Sequence, residues 1–168
     1  MSNNLVHIRP IEREDLDLLF KWRNDESIFS QLGGGYFPTS KTEMSKWMDN
    51  FSKPDKQNLR FLIQYKETRV GFISLSNINY INGTSELGIY IGEKNFEGKG
   101  IASSSLKLIE TFARDYLNLR KIKLLVNDNN KAAIKLYEKN EYNLVGQYIK
   151  ERFYKGEFIN LLIMEKFI

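Results

Sequence analysis

Apolar positions along this chain switch repeatedly between a period of two and a period of three to four, and the switches lay out its elements. Val6-His7-Ile8-Arg9 reads as a short strand that Pro10 ends. From Glu12 to Asn24, apolar residues at Leu16, Leu18, Leu19, Phe20 and Trp22 follow a first turn rich in acids, which predicts a helix. Leu32 to Pro38 then breaks the pattern with Gly33-Gly34-Gly35 flanked by Tyr36 and Phe37. Such a stretch is either a mobile loop that closes on a ligand or a plain connector. Thr39 or Ser40 can cap a second helix running to about Phe51, with Met44, Trp47 and Met48 along it.

Alternation returns over Leu59 to Tyr65 and Arg69 to Asn77, two strands with Glu67-Thr68 at the turn between them. Asn82-Gly83 is the strongest hairpin-turn signal and leads into a strand that begins near Glu86. The chain is organised around the next stretch, Ser85 to Leu106. Leu87, Ile89 and Ile91 alternate as a strand, Glu93 to Gly100 forms a turn rich in charge and glycine, and a helix follows. Its apolar face is Ala102, Leu106, Leu108, Ile109, Phe112 and Ala113. Strand, glycine turn and helix start present free backbone N–H groups and a positive helix end to an anion. Gly98 and Gly100 let that anion approach without a Cβ in the way. Lys121 to Val126 reads as a buried strand, Asn127 to Asn130 as a turn and cap, and 131–140 as a helix. Leu144 to Tyr154 and Glu157 to Phe167 close the chain as a hairpin turning at Lys155-Gly156.

Two familiar phosphate loops fail at identifiable positions. A Walker A loop needs glycine where Glu93 stands and Ser or Thr where Gly100 stands; a dinucleotide fingerprint needs glycine at Ser103. The segment Glu97-Gly98-Lys99-Gly100-Ile101-Ala102 instead resembles the acetyl-CoA loop of the GNAT superfamily, Gln/Arg-x-x-Gly-x-Gly/Ala, with Glu97 in place of its first residue. Asn130-Lys131-Ala132-Ala133-Ile134-Lys135-Leu136-Tyr137-Glu138-Lys139 resembles that family's Asn-x-x-Ala-x-x-Leu-Tyr-Glu-Lys helix, and Leu162-Ile163-Met164-Glu165 its last strand. Leu18 to Ser27, with Trp22-Arg23-Asn24, and Glu86-Leu87-Gly88 look most like the RimJ/RimL branch.

The resemblance spans nearly the whole chain and implies one N-acetyltransferase domain over 1–168. Its fold is α/β: a mixed, mostly antiparallel sheet of about seven strands, splayed at its centre and flanked by about four helices. Acetyl-CoA is the implied cofactor. Its pantetheine arm would lie along Tyr90-Ile91-Gly92, whose backbone N–H groups would also serve the developing oxyanion. Gly98, Lys99, Gly100, Ile101, Ala102 and Ser103 would hold the pyrophosphate. Tyr137 matches the tyrosine near the CoA sulfur, where its phenol would donate to the departing thiolate; the alternative is a packing residue. Asn130 is a helix cap, a cofactor contact, or both. Glu86 is the base candidate, reaching the amine through water, or else a solvated strand-end carboxylate. The first two helices and their connecting loop would wall the acceptor site, with Trp22, Tyr36 and Glu86 as substrate contacts.

Composition narrows the reading further. With 168 residues, 42% hydrophobic and 27% charged, the chain suits one globular domain. It has no cysteine, which excludes disulfides and thiolate catalysis, and the lone histidine, His7, reads as an edge residue. No residues show metal-ligand spacing, and no Ser/His/Asp arrangement supports a covalent acyl-enzyme, so direct attack in a ternary complex is expected. The net charge of +4 suits a polyanionic cofactor but is too interspersed for nucleic acid. No apolar run reaches a membrane span and MSNNLVHIRP lacks a signal core, so the expected location is the cytoplasm, as monomer or homodimer.

The acceptor expected from the RimJ/RimL resemblance is a protein N-terminal amine, a ribosomal protein's above all. A small amine is the alternative: a polyamine, an aminosugar or an antibiotic. Glu12, Glu14, Asp15, Asp17, Asp25, Glu26 and Glu43 could serve a polyamine, or simply form an exposed face. A non-catalytic acyl-CoA sensor would need neither Tyr137 nor Glu86.

Overall fold

A computed structural model describes residues 5–32, 36–50 and 56–168. The strands are β1 (Val6–Pro10), β2 (Leu59–Tyr65), β3 (Thr68–Asn79), β4 (Thr84–Ile91), β5 (Lys121–Asn127), β6 (Asn143–Tyr154) and β7 (Glu157–Phe167). They form one sheet in the order β1-β2-β3-β4-β5-β7-β6. Every neighbouring pair is antiparallel except β4 with β5. Among the described residues five α-helices flank it: α1 (Leu16–Arg23), α2 (Glu26–Phe29), α3 (Lys41–Asp49), α4 (Ile101–Leu117) and α5 (Lys131–Lys139).

Strand alternation sends side chains to two cores, one on each face. Leu62, Phe72 and Tyr90 meet α1 to α3 through Leu19, Trp22, Ile28 and Met44. Ile63, Ile73, Leu75 and Leu87 meet α4 through Ile101, Leu106, Ile109 and Ala113, and α5 through Tyr137. Among the described residues no helix is long and apolar enough to cross a membrane.

The first expected helix, 12–24, is divided. Arg13–Asp15 form a 3₁₀ turn, α1 follows, and the chain restarts as α2, where the Asp25 carboxylate accepts from the Ser27 N–H. That extra start explains five helices where the sequence suggests four. The β2–β3 turn sits one residue earlier than expected, at Lys66-Glu67, with Lys66 at φ 54°. Ser40 caps α3 in a reciprocal box with Glu43. The helix reaches Asp49, while the triple glycine and Phe51 fall outside the described residues.

Division at Asp15 has a clear cause. Its side chain is fully buried, accepts from Arg9 Nη1 and Nη2 at 2.7 and 2.8 Å, from Arg69 Nη1 at 3.1 Å, and from the Glu12 N–H at 2.8 Å. This ties the entry of α1 to β1 and β3. Burial alone would raise the Asp15 pKa, but Arg9, the Glu12 N–H and Arg69 together hold it below the usual carboxylate range. Asp15→Asn leaves two arginines facing a neutral amide and should cost about 3 kcal/mol at pH 7 in urea denaturation. Because the folded pKa is depressed, the stabilisation is full above the unfolded value of about 4 and is lost as pH falls through the lower folded value. The gap between wild type and variant should therefore narrow below about pH 4; a constant gap there would refute this role.

Candidate active site

The site begins where two strands part. β4 and β5 pair only through Thr84–Lys121, Ser85–Ile122 and Glu86–Lys123. Beyond Glu86, β4 stays on β3 while β5 continues along β7. The Gly92 N–H donates to the Val70 carbonyl at 2.8 Å, which fixes the phase of β4. By alternation, Gly88 and Tyr90 also turn their backbone groups to β3, and Leu87, Ile89 and Ile91 turn theirs into the gap. Ile89 and Ile91 thus offer donors and acceptors that no strand takes up.

Trp22 explains the position of Gly92. The indole is completely buried, its Nε1–H donates to Glu93 Oε1 at 2.9 Å, and a Cβ on Gly92 would overlap the ring. Lys21 Nζ meets the same carboxylate at 2.7 Å. Trp22 therefore stands behind the cleft wall and does not line it, contrary to the expected substrate contact. Tyr36 likewise lies off the lining, its hydroxyl donating to the Asn24 carbonyl at 3.2 Å. The Gly92 N–H, already bonded to Val70, cannot serve as an oxyanion donor in this arrangement.

The cleft between these walls has a volume of about 1180 Å³, above the roughly 300–1,000 Å³ of ordinary ligand pockets. One end is the start of α4. Gly98 and Gly100 have φ of +71° and +76°, and a Cβ at either would meet nothing within 4 Å, so open space surrounds the loop. Among the described residues, none of the N–H groups from Gly98 to Ser103 donates a backbone hydrogen bond. These orphan donors, at the positive end of a 17-residue helix, fit a pyrophosphate. Gly98, Gly100, Ile101, Ala102 and Ser103 line the cleft; the Lys99 side chain does not and sits 4.9 Å from the centre of the Phe96 ring. Ser103 Oγ accepts from Asn140 Nδ2 at 2.9 Å, joining the start of α4 to the end of α5.

Across the gap, α5 supplies Tyr137. The Asn130 side chain caps this helix by accepting from the Ala133 N–H at 3.1 Å, and the residue also lines the cleft. Tyr137 is buried, packs 5.8 Å from Tyr142, and its hydroxyl makes no hydrogen bond with the described residues. Burial pushes its phenol pKa up to about 12, so it carries its proton throughout the physiological range.

The opposite end of the cleft is aromatic. Tyr90 stacks on Phe72 at 5.3 Å and meets Phe29 edge-on at 5.5 Å. Arg23 covers the Phe29 ring at 4.3 Å. Glu86 lines the cleft on the same strand face as Tyr90. Its Oε2 accepts from Asn77 Nδ2 at 3.0 Å and its Oε1 lies 3.2 Å from Lys123 Nζ. The sequence reading missed both partners, since Asn77 comes from β3 at φ 51° and Lys123 from β5. Of the seven other acids considered, only Glu43 lines the cleft. Asp15 is buried, Asp17 pairs with Lys41, Glu26 with Lys155, and Asp25 caps α2.

This arrangement joins an anion cradle, an unpaired strand edge, a buried phenol and an oriented carboxylate along one cleft. Comparison with known proteins agrees with it. Spermidine N(1)-acetyltransferase of Escherichia coli K12 is 28% identical over 165 residues, covering 97% of this chain and 86% of that protein. The crystal structure of the Vibrio cholerae spermidine N-acetyltransferase with CoA and spermine superposes with a TM-score of 0.91 at 26% identity, covering 98% of this chain and 96% of that one. A dodecameric structure of the Vibrio cholerae enzyme, in an intermediate state, gives 0.81 at 26% identity, with 98% and 95% coverage.

Loss of the phenol should separate chemistry from binding. Tyr137→Phe is expected to lower kcat by about 10²-fold with little change in acetyl-CoA affinity. Steady-state kinetics with calorimetry on CoA checks this, and a kcat within a factor of two of wild type would make Tyr137 a packing residue. The profile of the acetyltransferase (GNAT) domain family matches residues 6–143, and the chain belongs to that family as an acetyl-CoA-dependent N-acetyltransferase.

Proposed function

We propose that this chain acetylates a primary amine of a small molecule, with polyamines as the leading acceptor class. The carrying observation is the make-up of the acceptor end, where Phe29, Phe72 and Tyr90 pack together as an apolar wall and Glu86 and Glu43 supply carboxylates. Methylene segments suit the rings and an ammonium suits the acids. The relatives that act by name on spermidine support this choice and lend nothing to the RimJ/RimL branch or to a protein N-terminus.

Acetyl-CoA supplies an activated acyl group when bound, and the chain supplies the rest. The loop from Gly98 to Ser103 holds the phosphates, and the Ile89 and Ile91 edge pairs with the pantetheine amides. Glu86, held by Asn77 and Lys123, takes the amine proton through water. Tyr137 Oη donates toward the sulfur. The amine attacks directly, with the acceptor and the cosubstrate bound together.

Acceptor class and base are tested together. Acetyl-CoA turnover is measured on spermidine, aminosugars and N-terminal peptides, followed by pH profiles of kcat/KM for wild type and Glu86→Gln. Spermidine should be preferred. Its amines titrate near 10, so the loss in Glu86→Gln should persist above about pH 9 and include a raised acceptor KM. Preference for a peptide, whose α-amine titrates near 8, with recovery of the variant above about pH 8, would overturn the reading.

We also infer self-association through β6. This edge strand exposes Leu144, Val145, Ile149 and Phe153, each more than half accessible, beside an equally exposed Phe158. Long apolar edges pair with other chains unless blocked. In sedimentation, wild type should run heavier than its 19.7 kDa chain and Ile149→Lys should run lighter than wild type. A wild-type monomer at micromolar concentration would refute it.

A further inference from the structure

We infer that Arg152 is a positioning residue for the acceptor wall, tying the end of α2 to the end of β5 across the side of the cleft. β6 and β7 pair in register to Tyr148–Leu161 and resume at Arg152–Ile159, so three residues of β6 oppose the single Asn160. Asn160 builds this bulge: its Oδ1 accepts from the Lys150 N–H at 2.8 Å, and Lys150 turns to φ 48°. Bulges re-aim side chains. Here the strand is exposed from Gln147 to Glu151, and Arg152 alone turns inward, 8% accessible.

The guanidinium reaches carbonyl groups of both walls. Nη2 donates to the Ser30 carbonyl at 2.7 Å, and Nη1 to Asn127 Oδ1 at 2.7 Å and the Gln31 carbonyl at 3.2 Å. Ser30 and Gln31 follow α2, whose Ser27, Ile28 and Phe29 line the cleft together with Gln31. Asn127 ends β5, just after the lining residue Val126. Tyr154, two residues on from Arg152, accepts from Gln31 Nε2 at 2.8 Å, so one strand holds this corner twice. Among the described residues Arg152 makes no ion pair. A buried cation without a counter-charge is costly, and an apolar side chain would fill the space at lower cost. What the arginine adds is reach and direction: a planar fork that fixes α2 carbonyls against a β5 side chain. α2 is a single turn held otherwise by side-chain packing through Ile28 and Phe29, and the arginine adds a directed polar tie just beyond its end.

The inference rests on the acceptor reading only for its kinetic arm. Arg152→Met, Arg152→Lys and Asn127→Ser are compared with wild type, using acetyl-CoA and spermidine. For Arg152→Met, the acceptor KM should rise about tenfold or more with kcat within about threefold, since misplacing a wall weakens alignment before chemistry. CoA affinity by calorimetry should be unchanged. Arg152→Lys, which still reaches a carbonyl, should recover part of the loss, and Asn127→Ser should show a milder form. In hydrogen exchange, residues 26–31 should exchange about tenfold faster in Arg152→Met while the 98–103 loop does not. If wild type fails to acetylate spermidine, the acceptor reading falls and exchange with CoA affinity still decides the clamp. Unchanged exchange over 26–31, or equal losses in CoA and acceptor binding, would overturn it. Should Arg152→Met not fold, Arg152→Lys and Asn127→Ser carry the same readouts.

Discussion

The parting of β4 from β5 is the constraint on which the rest of this structure depends. A parallel ladder is ordinarily buried and continuous, yet this one ends after Glu86 and Lys123. Ending it leaves backbone groups of Ile89 and Ile91 without partners, a cost that only a ligand or water can offset. Features on each side hold the strands apart. On β4, the indole of Trp22 fills the space above Gly92 and is itself pinned by Glu93. On β5, Asn127 is pinned by Arg152, and the strand keeps its full ladder with β7. The gap is thus braced by tertiary contacts, and the α4 terminus and Tyr137 inherit their positions from it.

Much of this was readable from residue order. Period-two and period-three patterns located all seven strands and the helix after Asn130 within a residue or two, and the start of α4, which runs on from Ala113 to Leu117. The glycine loop and the Asn130-to-Lys139 helix were legible as elements that line the cleft, because both form through backbone geometry that local sequence dictates. The acceptor end was less legible. Trp22 looks like a contact residue on a helix face, and only the approach of Gly92, seventy positions away, turns it into buried support. Glu86 was found by its place in a strand, but its partners Asn77 and Lys123 come from neighbouring strands. Arg152 carried no signal at all, since a bulge decides which way it points.

Division of the first expected helix shows the same limit. Amphipathic spacing from Leu16 to Trp22 is genuine, but Asp15 prefers two arginines from β1 and β3 to a place in a continuous helix. Charge pairing across the sheet overrode local propensity. A structural role for Asp15 also removes it from the acceptor acids. That leaves the proposed acceptor end with Glu43, oriented by its cap, and Glu86, oriented by two partners.

Tyr137 illustrates how burial sets the kind of help a residue can give. A phenol near 12 and a thiol near 8.5 differ by more than three pKa units, about 5 kcal/mol against full transfer of the proton from Oη to sulfur. The same burial that would make Tyr137 a poor acid would keep it protonated as a donor, and among the described residues no acceptor takes its hydroxyl hydrogen. A preset hydrogen bond on a buried hydroxyl strengthens as negative charge develops, with little solvent to reorganise around it. The proton that finally neutralises the sulfur need not be the tyrosine's. On the proposed mechanism Glu86 would collect a proton from the amine through water, and that proton could be returned through the cleft. On that mechanism Tyr137 would act by holding its proton in place, a role suited to its seat on the capped α5.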